Sequence, residues 1–236
     1  ERSCLLPGLT QATSPAGQTG NGTPTGQDDL RQLWIAEPSD APGKIVFTIK
    51  VDNLDPQPIP AYRWYAYFKI SGDDNNYFVA MDTVQGAPRF IYGLRDSTES
   101  TIGTIPAVGG AGLFEELGEL DASSGFDPDG TIRLVLDKSV LNIQTGQELS
   151  NIAASIRQTT NPVNGVGLTV DSAAAVGTYR VVGNDVCASA DGDTGGGASG
   201  GGDRPRDAGR FGSGAFGLAL ALPLLLGLWV RRRMRH

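Results

Sequence analysis

The residues equipped for chemistry are few, and what they cannot build narrows the function. The single histidine is His236, the final residue. No Ser-His-Asp or Cys-His relay can therefore form in the body of the chain. A histidine-based zinc site is excluded for the same reason, and Cys4 and Cys187 alone cannot supply four ligands. There is no Gly-x-x-x-x-Gly-Lys phosphate loop, and the glycines between 109 and 112 lack a lysine beside them. A glycosidase needs only two carboxylates, which Glu115, Glu116 or Glu119 could provide. A solvated acidic patch is the better reading of that run, so the expectation is a non-catalytic protein.

Two other kinds of site are open to these residue types. Hard cations take clustered oxygen ligands from loops. Asp28 and Asp29, Asp73 and Asp74 in "GDDNN", and "DPDG" at 127–130 are candidates for calcium. None completes a twelve-residue EF-hand loop. The simpler reading is that they form turns, and one structural calcium is the alternative; no other cofactor is expected. Aromatic side chains can also meet sugar rings, where an apolar face and a polar rim suit each other. In "AYRWYAYFKI" Tyr62, Trp64, Ala66, Phe68 and Ile70 share one face, which reads as core. Arg63, Tyr65, Tyr67 and Lys69 share the other. If an aromatic patch meets a ligand, Tyr65 and Tyr67 with Arg63 are the expected residues.

These candidates must be held by strands. "LRQLWIAE" at 30–37 carries a strand signal, and "GKIVFTIKV" at 43–51 alternates Ile45, Phe47, Ile49 and Val51 against Lys44, Thr48 and Lys50. Prolines 56, 58 and 60 make a loop before the strand at 61–70. "SGDDNN" predicts a hairpin turn into "YFVAMDT". "PRFIYGLRD" at 88–96, "TIRLVLD" after the turn at 127–130, and "VGTYRVVG" at 176–183 predict further strands. "AGLFEELGEL" favours a strand or irregular segment. "TGQELSNIAASIRQTT" is amphipathic and reads as a short helix running into a strand. Residues 1–29 read as turn-rich. Some nine or ten short strands separated by turn signals predict an all-β, antiparallel β-sandwich of jelly-roll type.

Charge divides the chain. Residues 1–203 carry 12 Lys+Arg against 25 Asp+Glu, while residues 204–236 carry seven arginines and one aspartate. So acidic a body has no footprint for nucleic acid. The basic end closes an apolar run, "GAFGLALALPLLLGLWV", at Gly214–Val230. Arginines flanking such a span stay cytoplasmic. The organisation expected is a sandwich at 1–187, a flexible Gly-rich linker at 188–210, and one C-terminal transmembrane helix at 211–236 with an arginine-rich end. Export favours a Cys4–Cys187 disulfide over two free thiols. On a chain-entropy basis that bridge is worth about 3–5 kcal/mol. The chain opens Glu-Arg-Ser-Cys without an initiator Met, which reads as a processed piece of a longer polypeptide.

Two stretches resemble known families. "GGGASGGGD", "GAFGLALALPLLLGLWV" and "RRRMR" together resemble the glycine-glycine type of C-terminal sorting signal of exported Gram-negative proteins, although "DRPRDAGRF" intervenes between the glycines and the apolar run. The resemblance implies anchorage of a precursor in the inner membrane through Arg231, Arg232 and Arg233. It also implies an intramembrane sorting protease as a partner, followed by surface display or secretion. A permanent anchor is the other possibility. "CLLPGLTQATSPAGQ", "DDLRQLWIAEP", "KIVFTIKVDNL", "RWYAYFKI", "DGTIRLVLDKSVL" and "GTYRVVGNDVC" resemble a C-terminal β-sandwich module of exported bacterial proteins, subtilisin-like proteases among them. The likeness extends more distantly to DOMON and glucodextranase-type sandwiches. Where those carry Asp-Pro-x-Gly-Asp, this chain has Ser14, Pro15, Ala16, Gly17 and Gln18, so both carboxylates are missing. The resemblance implies an accessory domain for binding, stabilising or display, the last domain of a larger exoprotein, and leaves two alternatives for what precedes Glu1, a hydrolase domain or a signal peptide alone. The alternative is a carbohydrate-binding module with a glycan partner.

Overall fold

The computed structural model describes residues 1–17, 26–55, 57–58, 60–95, 114–159 and 167–189. The apolar span, its arginines and nearly all of the Gly-rich linker lie outside the described residues. Within them the chain is all-β. In order the strands are β1 (Leu9–Thr13), β2 (Leu30–Ala36), β3 (Lys44–Val51), β4 (Tyr62–Ile70), β5 (Asn76–Asp82), β6 (Arg89–Arg95), β7 (Phe114–Glu119), β8 (Gly125–Asp127), β9 (Thr131–Asp137), β10 (Glu148–Thr159), β11 (Gly167–Ala174) and β12 (Tyr179–Arg180). Two single-turn 3-10 helices occur at Gly26–Asp28 and Lys138–Leu141. No described helix is long and apolar enough to cross a membrane.

The strands form two antiparallel sheets. One runs β1-β2-β3-β9-β8; the other runs β11-β10-β4-β5-β6-β7, with β12 also on β10. The chain changes sheet after β3, after β7 and after β9, so neither sheet forms without the other. The main core lies between them. Phe47 of the first sheet stacks on Phe68 of the second with ring centroids 4.9 Å apart. Leu33, Ile35, Ile49, Trp64, Met81, Leu134 and Ile156 are all fully buried around that contact. The period-2 pattern of β3 and β4 dictates this side of each strand, because alternate side chains point to opposite faces.

Four details depart from the sequence reading. Residues 148–159 contain no helix; β10 is a 12-residue strand. Its inward residues are Leu149, Ile152, Ala154 and Ile156. A register shift between Ser150 and Ala153, with Asn151 at φ 50°, inserts one residue into the alternation. The resulting three-residue step from Leu149 to Ile152 imitates helical spacing. β1 and β11 were masked in the sequence by small and polar residues, and both are edge strands where burial is partial. The strand expected over 176–183 pairs only at Tyr179 and Arg180.

The ends of the sandwich meet. Cys4 and Cys187 are disulfide-bonded, with Cα atoms 5.0 Å apart. Around the bond the Ser3 N–H donates to the Ala188 carbonyl at 2.9 Å and the Ala188 N–H to Ser3 Oγ at 2.7 Å. Arg2 and Ser189 form an isolated antiparallel bridge.

Candidate functional site

β4 is central in its sheet, paired with β10 on one side and β5 on the other. Its second face carries Arg63, Tyr65 and Tyr67, as the alternation requires. This face, the one expected to meet a ligand if any aromatic patch does, is buried. Tyr65 is 0% and Tyr67 5% exposed, and they form a second core with Phe78, Ala80, Ile91 and Phe114. The covering ring is Phe114 of β7, which lies beyond β5 and β6 in the same sheet. Tyr65 stacks on Tyr67 at 5.2 Å and on Phe114 at 4.8 Å. Arg95 lies 4.4 Å over the Tyr67 ring, and Arg157 lies 5.3 Å from that of Phe114. Gly93 makes the approach of β7 possible, since a Cβ there would overlap the Glu115 backbone and come within 2.8 Å of Phe78. Burial drives the Tyr65 hydroxyl well above the usual tyrosine range, so it stays protonated and can donate. Neither tyrosine ring offers a free face for a sugar.

One step along the strands the same face turns polar. Cross-strand pairing aligns Arg157 of β10, Arg63 of β4, Asp82 of β5 and Arg89 of β6 in a single row. Arg63 donates through Nε to Asp82 Oδ2 at 3.0 Å and through a terminal nitrogen to the Tyr65 hydroxyl at 3.2 Å. Its second terminal nitrogen is 2.9 Å from the same Asp82 oxygen, and both side chains are more than nine-tenths buried. Arg89 reaches Glu116 of β7 at 2.5 Å, in a pair that is about one-third exposed. Glu119 stands 3.7 Å from Arg89. Beside these pairs lies a cleft of about 70 Å³ lined by Arg63, Asp82, Gln85, Arg89, Phe114 and Glu116, together with Phe78, Val84 and Ile91. Sequence reading found Arg63 and Glu116 but assigned them to different sites. Asp82 and Arg89 were missed, and only the register of three hairpin-linked strands brings them together.

The acidic candidates stay apart. Asp73 caps its own turn, accepting from the Asn75 N–H at 2.9 Å and the Tyr77 hydroxyl at 2.5 Å, while Asp74 is exposed beside it. Asp29 accepts from the Gly17 N–H at 3.2 Å and pairs with Arg31 at 3.1 Å. Asp28 ends the 3-10 turn before it. Asp127 pairs with Arg133, and Asp129 accepts from the Thr131 N–H and Lys50. Among the described residues no three His, Cys, Asp or Glu side chains gather at metal-ligand range. Asp171 of β11 is a carboxylate that no pattern in the sequence singles out. It is 3% exposed and accepts from the Leu30 N–H at 2.8 Å and the Ser172 N–H at 2.7 Å. Burial, helped by the charges of Asp29 and Asp28, pushes its carboxyl up to about 6.

A second buried network closes the disulfide end. Glu37 is 0% exposed and accepts from Lys138 Nζ (2.8 Å), the Tyr179 hydroxyl (3.1 Å), the Val182 N–H (2.8 Å) and the Gly183 N–H (3.2 Å). Gly183 sits at φ +97°, a conformation that side chains other than glycine rarely adopt. The Asn184 amide donates to the carbonyls of Pro38, Ala41 and Lys44, each at 2.9 Å. No protein-family model, curated protein or solved structure matches the chain.

Proposed function

We propose that the chain is a non-catalytic, extracellular accessory or binding domain of an exported bacterial protein, delivered to the surface by its C-terminal segment. The observation that carries this reading is the closure of the sandwich on itself. A disulfide joins Cys4 to Cys187 across a sequence separation of 183 residues. Such a bond belongs to an oxidising compartment. In the sequence a Gly-rich stretch follows directly, then the apolar run and its arginines. On this reading the apolar run with Arg231, Arg232 and Arg233 retains the precursor in the membrane until it is processed.

The test is the intact mass of the native protein in membrane and culture-medium fractions. The expected result is an oxidised form in the medium that ends within the glycine region. A reduced cytoplasmic form would overturn the reading. Replacing Arg231, Arg232 and Arg233 together with alanine is expected to mislocalise the protein. Unchanged delivery of that variant would remove the tail from the mechanism.

A second reading, a carbohydrate-binding module, draws support from the polar cleft beside Arg63 and Asp82. The buried tyrosines give it no platform, so the cleft takes over the role first expected of Tyr65 and Tyr67. It keeps Arg63 and adds Arg89 and Glu116.

A further inference from the structure

We infer that the cleft between Arg63, Asp82, Arg89 and Glu116 binds a saccharide bearing a single carboxylate, a uronic acid residue at a chain end. The inference rests on the carbohydrate-binding reading and names its ligand class.

The lining sets the chemistry. Two guanidiniums present planar donor forks that match a carboxylate. Asp82, Glu116 and the Gln85 amide oxygen present acceptors, which suit sugar hydroxyls. A ligand that is anion and polyol at once uses both sets. A bare phosphate would meet Asp82 and Glu116 as like charges. A neutral sugar would offer Arg89 no charge in exchange for that of Glu116. Along the row Arg157, Arg63 and Arg89 stand with one carboxylate, Asp82, and Glu116 and Glu119 of β7 balance Arg89 at the rim, so a ligand carboxylate binds by taking Arg89 from Glu116. The body as a whole opposes a polyanion, with 25 Asp+Glu against 12 Lys+Arg in residues 1–203. One negative charge on an otherwise neutral chain satisfies both conditions.

The geometry divides the work. Arg63 and Asp82 form a rigid floor, buried and braced by the Tyr65 hydroxyl. Arg89 and Glu116 form a rim whose side chains are 33% and 38% exposed. Exposed pairs of this kind are held weakly, so the rim opens at small cost and re-forms around a ligand. Phe114 closes one side. A space of about 70 Å³ takes the carboxylate and the nearest ring atoms, leaving the rest of the saccharide outside.

The full chain in detergent micelles is titrated calorimetrically with methyl glucuronide, methyl glucoside and inorganic phosphate. Saturable binding of the glucuronide is expected, with the glucoside and phosphate each weaker by roughly tenfold or more. Arg89→Gln should lose about tenfold in glucuronide affinity with an unchanged melting temperature. Arg133→Gln, whose pair with Asp127 lies on the other sheet, should bind as the parent does. Absence of saturation with the glucuronide overturns the inference, as does equal affinity for the glucoside or for phosphate. Parental affinity in Arg89→Gln overturns the location. None of these outcomes bears on the mass and localisation experiment, so the ligand and the delivery can fail separately.

Discussion

Glu37 and Asp82 are both buried carboxylates facing a cation, yet they sit in differently built surroundings. Glu37 spends its oxygens on Lys138, a tyrosine hydroxyl and two backbone N–H groups, and the neighbouring Asn184 ties three backbone carbonyls. Its partners are up to 146 residues away in sequence. Asp82 also takes one backbone N–H, that of Val84, but otherwise faces a side chain, Arg63, beside a cleft with an exposed rim. A network that ends on backbone is committed to the fold. One that ends on side chains beside open space retains groups that can exchange partners. The disulfide end is scaffold, and the outer face of the larger sheet carries the recognition surface proposed above.

The largest effect separating the two is expected from Glu37→Ala. It leaves Lys138, 12% exposed, without its counter-charge and strips partners from Tyr179, Val182 and Gly183. Breaking a buried, hydrogen-bonded pair in this way costs about 4 kcal/mol. Denaturant unfolding of the oxidised protein measures it, and glucuronide affinity of the folded fraction should stay unchanged. A cost below about 1 kcal/mol would dissolve the distinction, since that is the range of exposed pairs such as Arg89–Glu116.

The parts legible in the sequence are those where alternation is strong and local. β3, β4 and β9 announce themselves because Ile, Val, Phe and Tyr recur at period 2, and the disulfide was favoured by the expectation of export for a chain with two cysteines. β10 misled because its bulge moves Ile152 to a helical interval from Leu149. The cleft was illegible for a different reason. Arg63, Asp82, Arg89 and Glu116 lie on four strands, and nothing in a strand's own pattern states which neighbour it pairs with or in what register. The burial of Tyr65 and Tyr67 was hidden likewise, because the ring that covers them, Phe114, belongs to β7, three strands further along the sheet.

The next effect compares Glu37 with a second carboxylate that links distant strands. Asp171 bonds the Leu30 N–H across the sandwich, but it faces Asp29 and Asp28 where Glu37 faces a lysine. Its folded-state value, about 6, lies above the 3.8 of an ordinary aspartate. Folding therefore favours its protonated form. The stability tied to that proton is complete below pH 3.8 and is lost as pH rises through about 6. The swing is on the order of 2 kcal/mol. Asp171→Asn removes the titration, keeps an acceptor for Leu30 and gives up the one for Ser172. Its melting temperature relative to the parent should be at or below zero difference at pH 4 and should climb between pH 4 and 7. A difference that stays flat across that range would show that Asp171 does not titrate in this window.

The smallest effect tests whether the aromatic slab belongs with the scaffold or with the cleft it adjoins. Tyr67 and Ser155 share a buried hydrogen bond of 2.9 Å between β4 and β10. Tyr67→Phe deletes that bond and keeps the ring that stacks on Tyr65. The expected loss is about 1 kcal/mol of stability, the net worth of one neutral hydrogen bond. Glucuronide affinity should hold within about twofold, because Tyr67 does not line the cleft and its ring has no free face. Stability and affinity falling together would move the slab into the recognition surface. Stability falling alone would make Tyr65 and Tyr67 what their burial argues, an inner wall that fixes Arg63 and leaves contact with the ligand to the rim.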